Sequence, residues 1–331
     1  MPERYLIASP LFHASVTITT RAPTRIDFGG GWTDVPPYSD EMGGFVCNVA
    51  ISRYATATVV ALGDKEARVT ADRAGDRSIA TAAARRLGIT GARIELHSDF
   101  PMGAGLGGSS AAGVATIMAL SSLDGRTMAP NELAELSRQV EIDDLGIAGG
   151  RQDHYAAVYG GALGLRFTSA GTDVQQLPLT PAFCAALERR CLIVYTGQSR
   201  ISGDTINAVL DAYRSGERRV VNALGRTRDL AEEMARAVAK ADLDSLAALV
   251  DEQWTHQRAL HPAIPTAAID EIIARARQAG AAGAKALGAS GGGCVLVIAG
   301  ADRVDDVRAA VASLGELLSF SIDQRGVSHC A

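Results

Sequence analysis

Pro101-Met102-Gly103-Ala104-Gly105-Leu106-Gly107-Gly108-Ser109-Ser110-Ala111-Ala112 places four glycines and two hydroxyls ahead of a largely apolar run over 111–120. Glycine lets backbone amides come close to a ligand, because no Cβ stands in the way. A helix beginning near Gly108 adds its N-terminal amides and the positive end of its dipole. Loop and helix together make an anion cradle suited to a polyphosphate, with Ser109 and Ser110 in reach of phosphate or its metal. Two other readings fit the same residues. Gly103, Gly105 and Gly108 satisfy G-x-G-x-x-G, the dinucleotide-binding turn, which needs an acidic residue about twenty positions on, after a second strand. Asp124 is near that distance but follows the helix directly, in Ser122-Leu123-Asp124-Gly125. A Walker loop needs Gly-Lys-Ser/Thr, and no lysine is present here. A glycine-rich turn ahead of a buried helix is the purely structural reading.

The 331 residues suffice for two domains, each with its own core. Hydrophobic residues at 47% and charged residues at 21% describe an ordinary folded protein. The net charge of −5 argues against nucleic-acid and membrane partners, so an anionic substrate has to be met by local arginines. The five cysteines, Cys47, Cys184, Cys191, Cys294 and Cys330, are scattered and form no C-x-x-C pair. Reduced thiols and a cytoplasmic location are expected, rather than a disulfide frame or a zinc site. The first twenty residues hold Pro10 and His13 and lack a cationic start before a long apolar core, so no secretory leader is expected. No run of 18 apolar residues occurs, so no bilayer span is expected.

Along the chain, alternation at Val16 and Ile18 leads as a strand into Arg21-Ala22-Pro23-Thr24-Arg25-Ile26-Asp27-Phe28. Gly29-Gly30-Gly31-Trp32-Thr33-Asp34 is a second glycine-rich turn. Residues 45–50, 54–60, 67–71, 92–97 and 162–167 read as strands, and 79–87 as a helix. Asn131 is expected to cap a helix running to about 142, and a helix over 153–159 stops at Gly160-Gly161. Beyond a strand at 192–195, Leu224, Thr227, Ala231, Met234 and Val238 share one helical face, as do Leu243, Leu246, Val250 and Trp254. A helix at 269–277 and the unit 284–298, two strands around Gly288-Ala289-Ser290-Gly291-Gly292-Gly293, follow. A helix over 304–314 and a strand over 318–322 finish the chain. Strands and helices mix without βαβ alternation, so the fold class is α+β in two domains, dividing near 165–190. His256 and His261 flank a helix end without a third ligand and read as structural.

Taken together, Ala22-Pro23-Thr24-Arg25-Ile26-Asp27-Phe28-Gly29-Gly30-Gly31-Trp32-Thr33-Asp34, the 101–112 loop and Gly288-Ala289-Ser290-Gly291-Gly292-Gly293-Cys294 resemble the three motifs of the GHMP (galactose, homoserine, mevalonate, phosphomevalonate) kinases. Order and spacing match over roughly 21–297, and the middle motif is the most specific. The resemblance implies a two-domain fold, with a ribosomal-S5-domain-2-like ATP-binding unit over 1–175 and a ferredoxin-like unit over 176–331, the active site lying between them. It implies ATP and Mg²⁺ as cofactors and a small sugar or sugar phosphate as partner; homo-oligomerisation is left open.

Residue by residue, Pro101, Gly103, Gly105, Leu106, Gly107, Gly108, Ser109 and Ser110 resemble the part that holds the ATP phosphates. Ser110 and Glu141 resemble the Mg²⁺ site, with Asp143 and Asp144 near enough to substitute for Glu141. Asp153 resembles the aspartate that accepts or orients the attacking hydroxyl's proton. Arg25 resembles the basic residue that steadies it or the transferring phosphoryl group. Asp34 resembles the carboxylate that binds sugar hydroxyls, with Gly30, Gly31, Trp32, Thr33, Gly291 and Gly292 around the substrate. Gly31-Trp32 stands where galactokinase-type members carry a Glu-His pair, which points away from galactose and toward a larger sugar. Tyr195-Thr196-Gly197-Gln198-Ser199-Arg200 looks like a turn of the heptose 7-phosphate 1-kinases and their fucokinase relatives. Arg200, and more weakly Arg151, would then meet a sugar phosphate. The expected reaction is phosphorylation of the anomeric hydroxyl of a heptose 7-phosphate. An L-fucose or other free-sugar 1-kinase and a sugar-sensing pseudokinase are the alternatives.

Overall fold

The computed structural model describes residues 16–62, 68–71, 73–198 and 203–330. In chain order the first half runs β1 (Thr17–Gly29), α1 (Tyr38–Glu41), β2 (Gly44–Ala61), β3 (Arg68–Ala71), α2 (Ala74–Leu87), β4 (Ala92–Ser98), α3 (Gly108–Leu123) and α4 (Pro130–Arg138). A π-helical stretch (Gln139–Asp144), α5 (Gln152–Tyr159), β5 (Ala162–Thr168) and β6 (Gly171–Leu177) complete it. The second half runs α6 (Pro181–Arg190), β7 (Cys191–Tyr195), α7 (Gly203–Arg214), α8 (Arg218–Ala239), α9 (Leu243–Leu260), α10 (Ala267–Gln278), β8 (Ala281–Ala286), β9 (Cys294–Ala299), α11 (Val304–Val311), β10 (Glu316–Leu318) and β11 (Ser328–His329). The mixture is α+β, as the absence of regular alternation predicts.

Among the described residues, seven strands form a first sheet in the order β11-β1-β2-β4-β3, with β5 joined to β2 and β6 to β5. The residues read as two strands, 45–50 and 54–60, are one long β2. Its start pairs with β5 and its end with β4, while β1 follows it throughout. The second sheet has the order β10-β7-β9-β8. Its strands alternate faces. Ile193, Leu296 and Ile298 join the core under the first sheet, and Leu192, Val194, Val295 and Val297 join a second core with α10 and α11.

α3 is apolar on every side, and burial explains why. It lies against β1 and β2 with α2, α4 and α5 around it, and Ala111, Val114, Ala115, Ile117 and Leu120 are wholly buried. α8 and α9 tie the two cores together. Leu230, Ala231 and Met234 pack under the first sheet, whereas Val220 and Leu224 pack in the second core. The apolar faces expected for these helices are the buried ones.

Three local expectations are corrected. Asn131 is not the cap of α4: Ala129 holds that place, Pro130 opens the helix, and Asn131 Oδ1 accepts from the Tyr159 hydroxyl at 2.5 Å. That helix stops at Arg138 and widens into the π-helical stretch rather than running on to 142. In place of the expected last strand over 318–322 stands the short β10, after which the chain crosses back and lays β11 on β1. Ala67, the expected start of a strand, lies outside the described residues.

Candidate active site

The three glycine-rich turns meet in one cavity of about 640 Å³, whose walls include Arg25, Trp32, Asp34, the 101–110 loop, Glu141, Asp153 and residues 287–290 and 292. Main-chain bonds hold the first and third turns to the middle one. Arg25 N donates to Leu106 O at 3.0 Å, and Cys294 N to Ala104 O at 2.8 Å. Gly105 and Gly288 are in backbone contact: a Cβ on Gly105 would lie 2.6 Å from Leu287 O, and one on Gly288 would lie 2.9 Å from Gly105 Cα. The turn between β8 and β9 therefore grips the 101–110 loop directly. Glycine is required at these positions by close approach as well as by turn geometry.

α3 begins at Gly108, as the sequence predicts, and presents Ser109 and Ser110 in its first turn. The Ser110 hydroxyl donates to Glu141 Oε2 at 2.8 Å, and the Ser109 hydroxyl donates to Glu141 Oε1. Glu141 reaches them from the π-helical stretch, whose extra residue per turn swings it inward. Burial raises its pKa, opposed by the two serine hydroxyls. Asp143 and Asp144 do not substitute for it: they face Arg138 and Arg86 at 3.3 and 2.6 Å.

Behind Glu141 stands His154, which the sequence reading missed. Its Nε2 lies 3.2 Å from Glu141 Oε2, and its Nδ1 lies 2.9 Å from Ser137 Oγ. Burial pushes its pKa down to about 4, so the ring is neutral at pH 7. A carboxylate only accepts, so Nε2 carries the proton and Nδ1 accepts from Ser137. Two hydroxyls and one carboxylate are hard oxygen donors, too few for an all-protein cage and suited to a Mg²⁺ that shares phosphate oxygens and water.

Asp153 opens α5 within reach of the loop. Arg25 Nε and Nη2 both contact its Oδ1, at 2.8 and 2.7 Å, while Arg25 Nη1 donates to Gly105 O at 2.6 Å. One buried guanidinium thus connects the carboxylate and the 101–110 loop. Asp34 is buried beside them, and its Oδ2 accepts from Gln152 N at 3.0 Å. A Cβ at Gly150 would sit 1.9 Å from that oxygen, so the Gly149-Gly150 approach to α5 exists to admit the carboxylate. Burial lifts Asp34 to a pKa of about 6, the Gln152 amide opposes this, and Asp153 and Asp27 add to it.

The remaining candidates divide. Gly31, Trp32 and Gly292 line the cavity. Trp32 takes a left-handed φ of 81° and packs with Val35 and Tyr38 in the second core while facing the cavity. Thr33 does not face substrate: its hydroxyl donates to Gly30 O at 2.7 Å and ties the turn to Phe45. Gly30 packs against Phe45 O, and Gly291 N donates to Ile264 O, so both shape their turns from outside the lining. Arg151 is turned away, held by Thr168 O and by Asp40 at 3.0 and 2.8 Å. Arg200 lies outside the described residues. Arg73, stacked on Phe100, and Asp204 and Asn207 at the start of α7 join the lining without having been singled out. No local spacing marks them, since each reaches the cavity through tertiary packing. No helix among the described residues is long and apolar enough to cross a membrane.

A family model described as GHMP kinases N terminal domain matches residues 77–161, and one described as GHMP kinases C terminal matches 234–317. The chain is 26% identical over 339 residues to a D-glycero-alpha-D-manno-heptose 7-phosphate kinase of Campylobacter jejuni, covering 94% of this chain and 98% of that one. It is 28% identical to a bifunctional fucokinase/GDP-fucose pyrophosphorylase of Arabidopsis thaliana, covering 86% of this chain but only 30% of that relative's length. Its fold matches a crystal structure described as a D-glycero-D-manno-heptose 1-phosphate kinase from Bacteriodes thetaiotaomicron, with a TM-score of 0.76, 23% identity, and coverage of 96% and 99%.

Proposed function

The chain belongs to the GHMP kinases, and we propose that its cavity transfers the γ-phosphoryl group of ATP to the anomeric hydroxyl of a heptose 7-phosphate. It is an ATP-dependent sugar kinase. The observation that carries the reading is Arg25, which holds Asp153 and the carbonyl of Gly105 at once. Phosphoryl transfer needs an acceptor oxygen in line with the phosphorus, charge neutralisation, and a group to take or orient the hydroxyl proton. Asp153 takes the last role, with its second oxygen left free of Arg25, whose two contacts are both to Oδ1. The amides of 103–110 and the N-terminus of α3 hold the phosphates. Ser110 and Glu141 would hold Mg²⁺, which supplies charge neutralisation at the phosphates when bound. His154 and Ser137 orient Glu141 from behind. Asp34 and the edge of Trp32 meet the sugar. The phosphate-holding unit is assigned to 1–175 and the lobe that closes over it to 176–331.

A heptose 7-phosphate is supported by the full-length similarity to the Campylobacter kinase and by Arg200 as the cation for its phosphate. One observation favours a free-sugar 1-kinase as the second reading. Among the described residues, the cavity lining carries six carboxylates, of which Asp34 and Asp204 have no cation partner, and its arginines, Arg25 and Arg73, are already engaged with Asp153 and Phe100. Carboxylates accept neutral hydroxyls and repel a second phosphate. A panel of heptose 7-phosphate, heptose, L-fucose and galactose, read by ADP release, separates the two. Turnover of heptose 7-phosphate well above the free sugars is expected. Equal use of L-fucose rejects the phosphate assignment, and ATP binding without turnover of any acceptor rejects catalysis.

A further inference from the structure

One buried charge beside the cavity has no task in this scheme. Lys285 lies on β8 between the buried Ala284 and Ala286, is 0% exposed, and reaches out of the second sheet to the end of β1 in the first. Its Nζ donates to Asp27 O at 2.9 Å and to Asp27 Oδ2 at 3.1 Å. The other carboxylate oxygen, Oδ1, is buried and has no hydrogen-bond partner among the described residues. Desolvation of such a pair costs about as much as its attraction returns, and an apolar pair of the same volume serves stability equally well. Stability alone is therefore a weak reason for a lysine here.

The position of Asp27 supplies a better one. β1 breaks register between Asp27 and Gly29, and the turn 29–34 starts there. That turn lies on the Asp27 carboxylate: a Cβ on Gly31 would come within 2.5 Å of Oδ2. One and three positions beyond Gly31, the same turn carries Trp32 and Asp34 into the cavity. The neighbourhood also holds three carboxylates, Asp27, Asp34 and Asp153, against the cations of Arg25 and Lys285. Without Lys285, Arg25 is left as the partner of Asp153, and the Asp27 carboxylate keeps no cation of its own.

We propose that Lys285 is a positioning residue for the reaction, fixing through Asp27 the turn that presents Trp32 and Asp34 to the sugar. The second lobe thereby sets the geometry of a substrate turn in the first, independently of its grip on the phosphate loop. This rests on the sugar-kinase reading given above, and the two fail differently. A wild-type enzyme that turns over no sugar overturns both before any variant is made.

The test is the double variant Asp27→Asn/Lys285→Met, which removes both charges so that neither is left buried unpaired. Steady-state kinetics on the best wild-type sugar are compared with titration of adenylyl imidodiphosphate in Mg²⁺. A rise of about tenfold or more in sugar KM with nucleotide affinity within about twofold of wild type is expected. A purely structural role would not split the two ligands in this way. Sugar KM unchanged in the folded double variant overturns the proposal, as does equal loss of both affinities. Should the double variant not fold, Lys285→Arg keeps the charge and changes only its reach. Raised sugar KM with nucleotide affinity retained then supports the proposal, and unchanged sugar KM overturns it.

Discussion

Asp34, at the end of the turn 29–34, and Asp153, at the start of α5, meet opposite surroundings. The Asp153 side chain is 25% exposed and gripped by Arg25, whereas Asp34 is buried with one amide donor. Asp34 accordingly sits near a pKa of about 6, while an unfolded aspartate titrates near about 3.9. A carboxyl whose pKa is raised by folding favours the protonated native state, so this contribution to stability is complete below pH 4 and is lost as pH rises to about 6. Sugar binding runs the other way, since the ionised form accepts hydroxyls better. We expect kcat/KM for the sugar to rise with pH through about 6 while the melting temperature falls over the same interval. Asp34→Asn should remove that slope from thermal melts and flatten the acid limb of kcat/KM; an unchanged limb would assign it to another group. At Asp153 the expectation concerns rate. Asp153→Asn should lower kcat about 10²-fold or more with nucleotide affinity retained, and a near-wild-type kcat would remove it from the chemistry.

At the scale of elements, the site is built by three turns, a helix start and one irregular helix. A methyl on Gly105 meets Leu287 O at 2.6 Å, with the residue at a φ of +74° that an L side chain resists. Gly105→Ala should therefore push the phosphate loop off the second lobe and raise the KM for ATP about tenfold, with a smaller change for sugar. Equal KM values for ATP in wild type and variant would show that the loop tolerates the displacement. The turns themselves were legible in the sequence, because glycines and hydroxyls in fixed order are local signals. The start of α3 and the buried faces of α8 and α9 were legible for the same reason. The π-helical stretch was not: its apolar spacing reads as ordinary helix, and the widened turn shows only in where Glu141 points. Arg151 was misplaced because a cation beside a catalytic motif looks available until Asp40, 111 residues away in sequence, is seen to hold it. Lys285 and His154 gave no signal either, the first a single polar residue in an apolar run and the second one more polar residue after Arg151-Gln152-Asp153, each with its partner on a distant element.

At the scale of the molecule, the chain ends by sealing the sheet it began. β11 pairs with β1 through Thr20↔His329 and Arg21↔Ser328, an arrangement no local pattern discloses. Asp323 organises this return. Its Oδ2 accepts from the Tyr54 hydroxyl at 2.7 Å, and its Oδ1 accepts from Arg325 N and Gly326 N at 2.9 and 2.8 Å. Its own backbone carbonyl accepts from Gly161 N at 2.7 Å, beside the end of α5. The last segment thus braces the far end of the helix that carries Asp153, yet no residue beyond 292 lines the cavity. Asp323→Ala deprives three donors of their acceptor; Arg325 N and the Tyr54 hydroxyl can turn to water, whereas Gly326 N is left buried without a partner at a cost of about 1–3 kcal/mol. A loss of about 1–3 kcal/mol is expected, visible as a melting temperature lower by about 2–10 °C. Because the perturbation lies outside the cavity, KM for ATP and sugar should stay within about twofold of wild type below the melt. Comparing Asp323→Ala with Asp153→Asn by differential scanning calorimetry and steady-state kinetics separates frame from chemistry: the first should move only the melt, the second only kcat. A large fall in kcat for Asp323→Ala at a temperature where it is folded would show instead that the returning segment sets the position of Asp153 through α5.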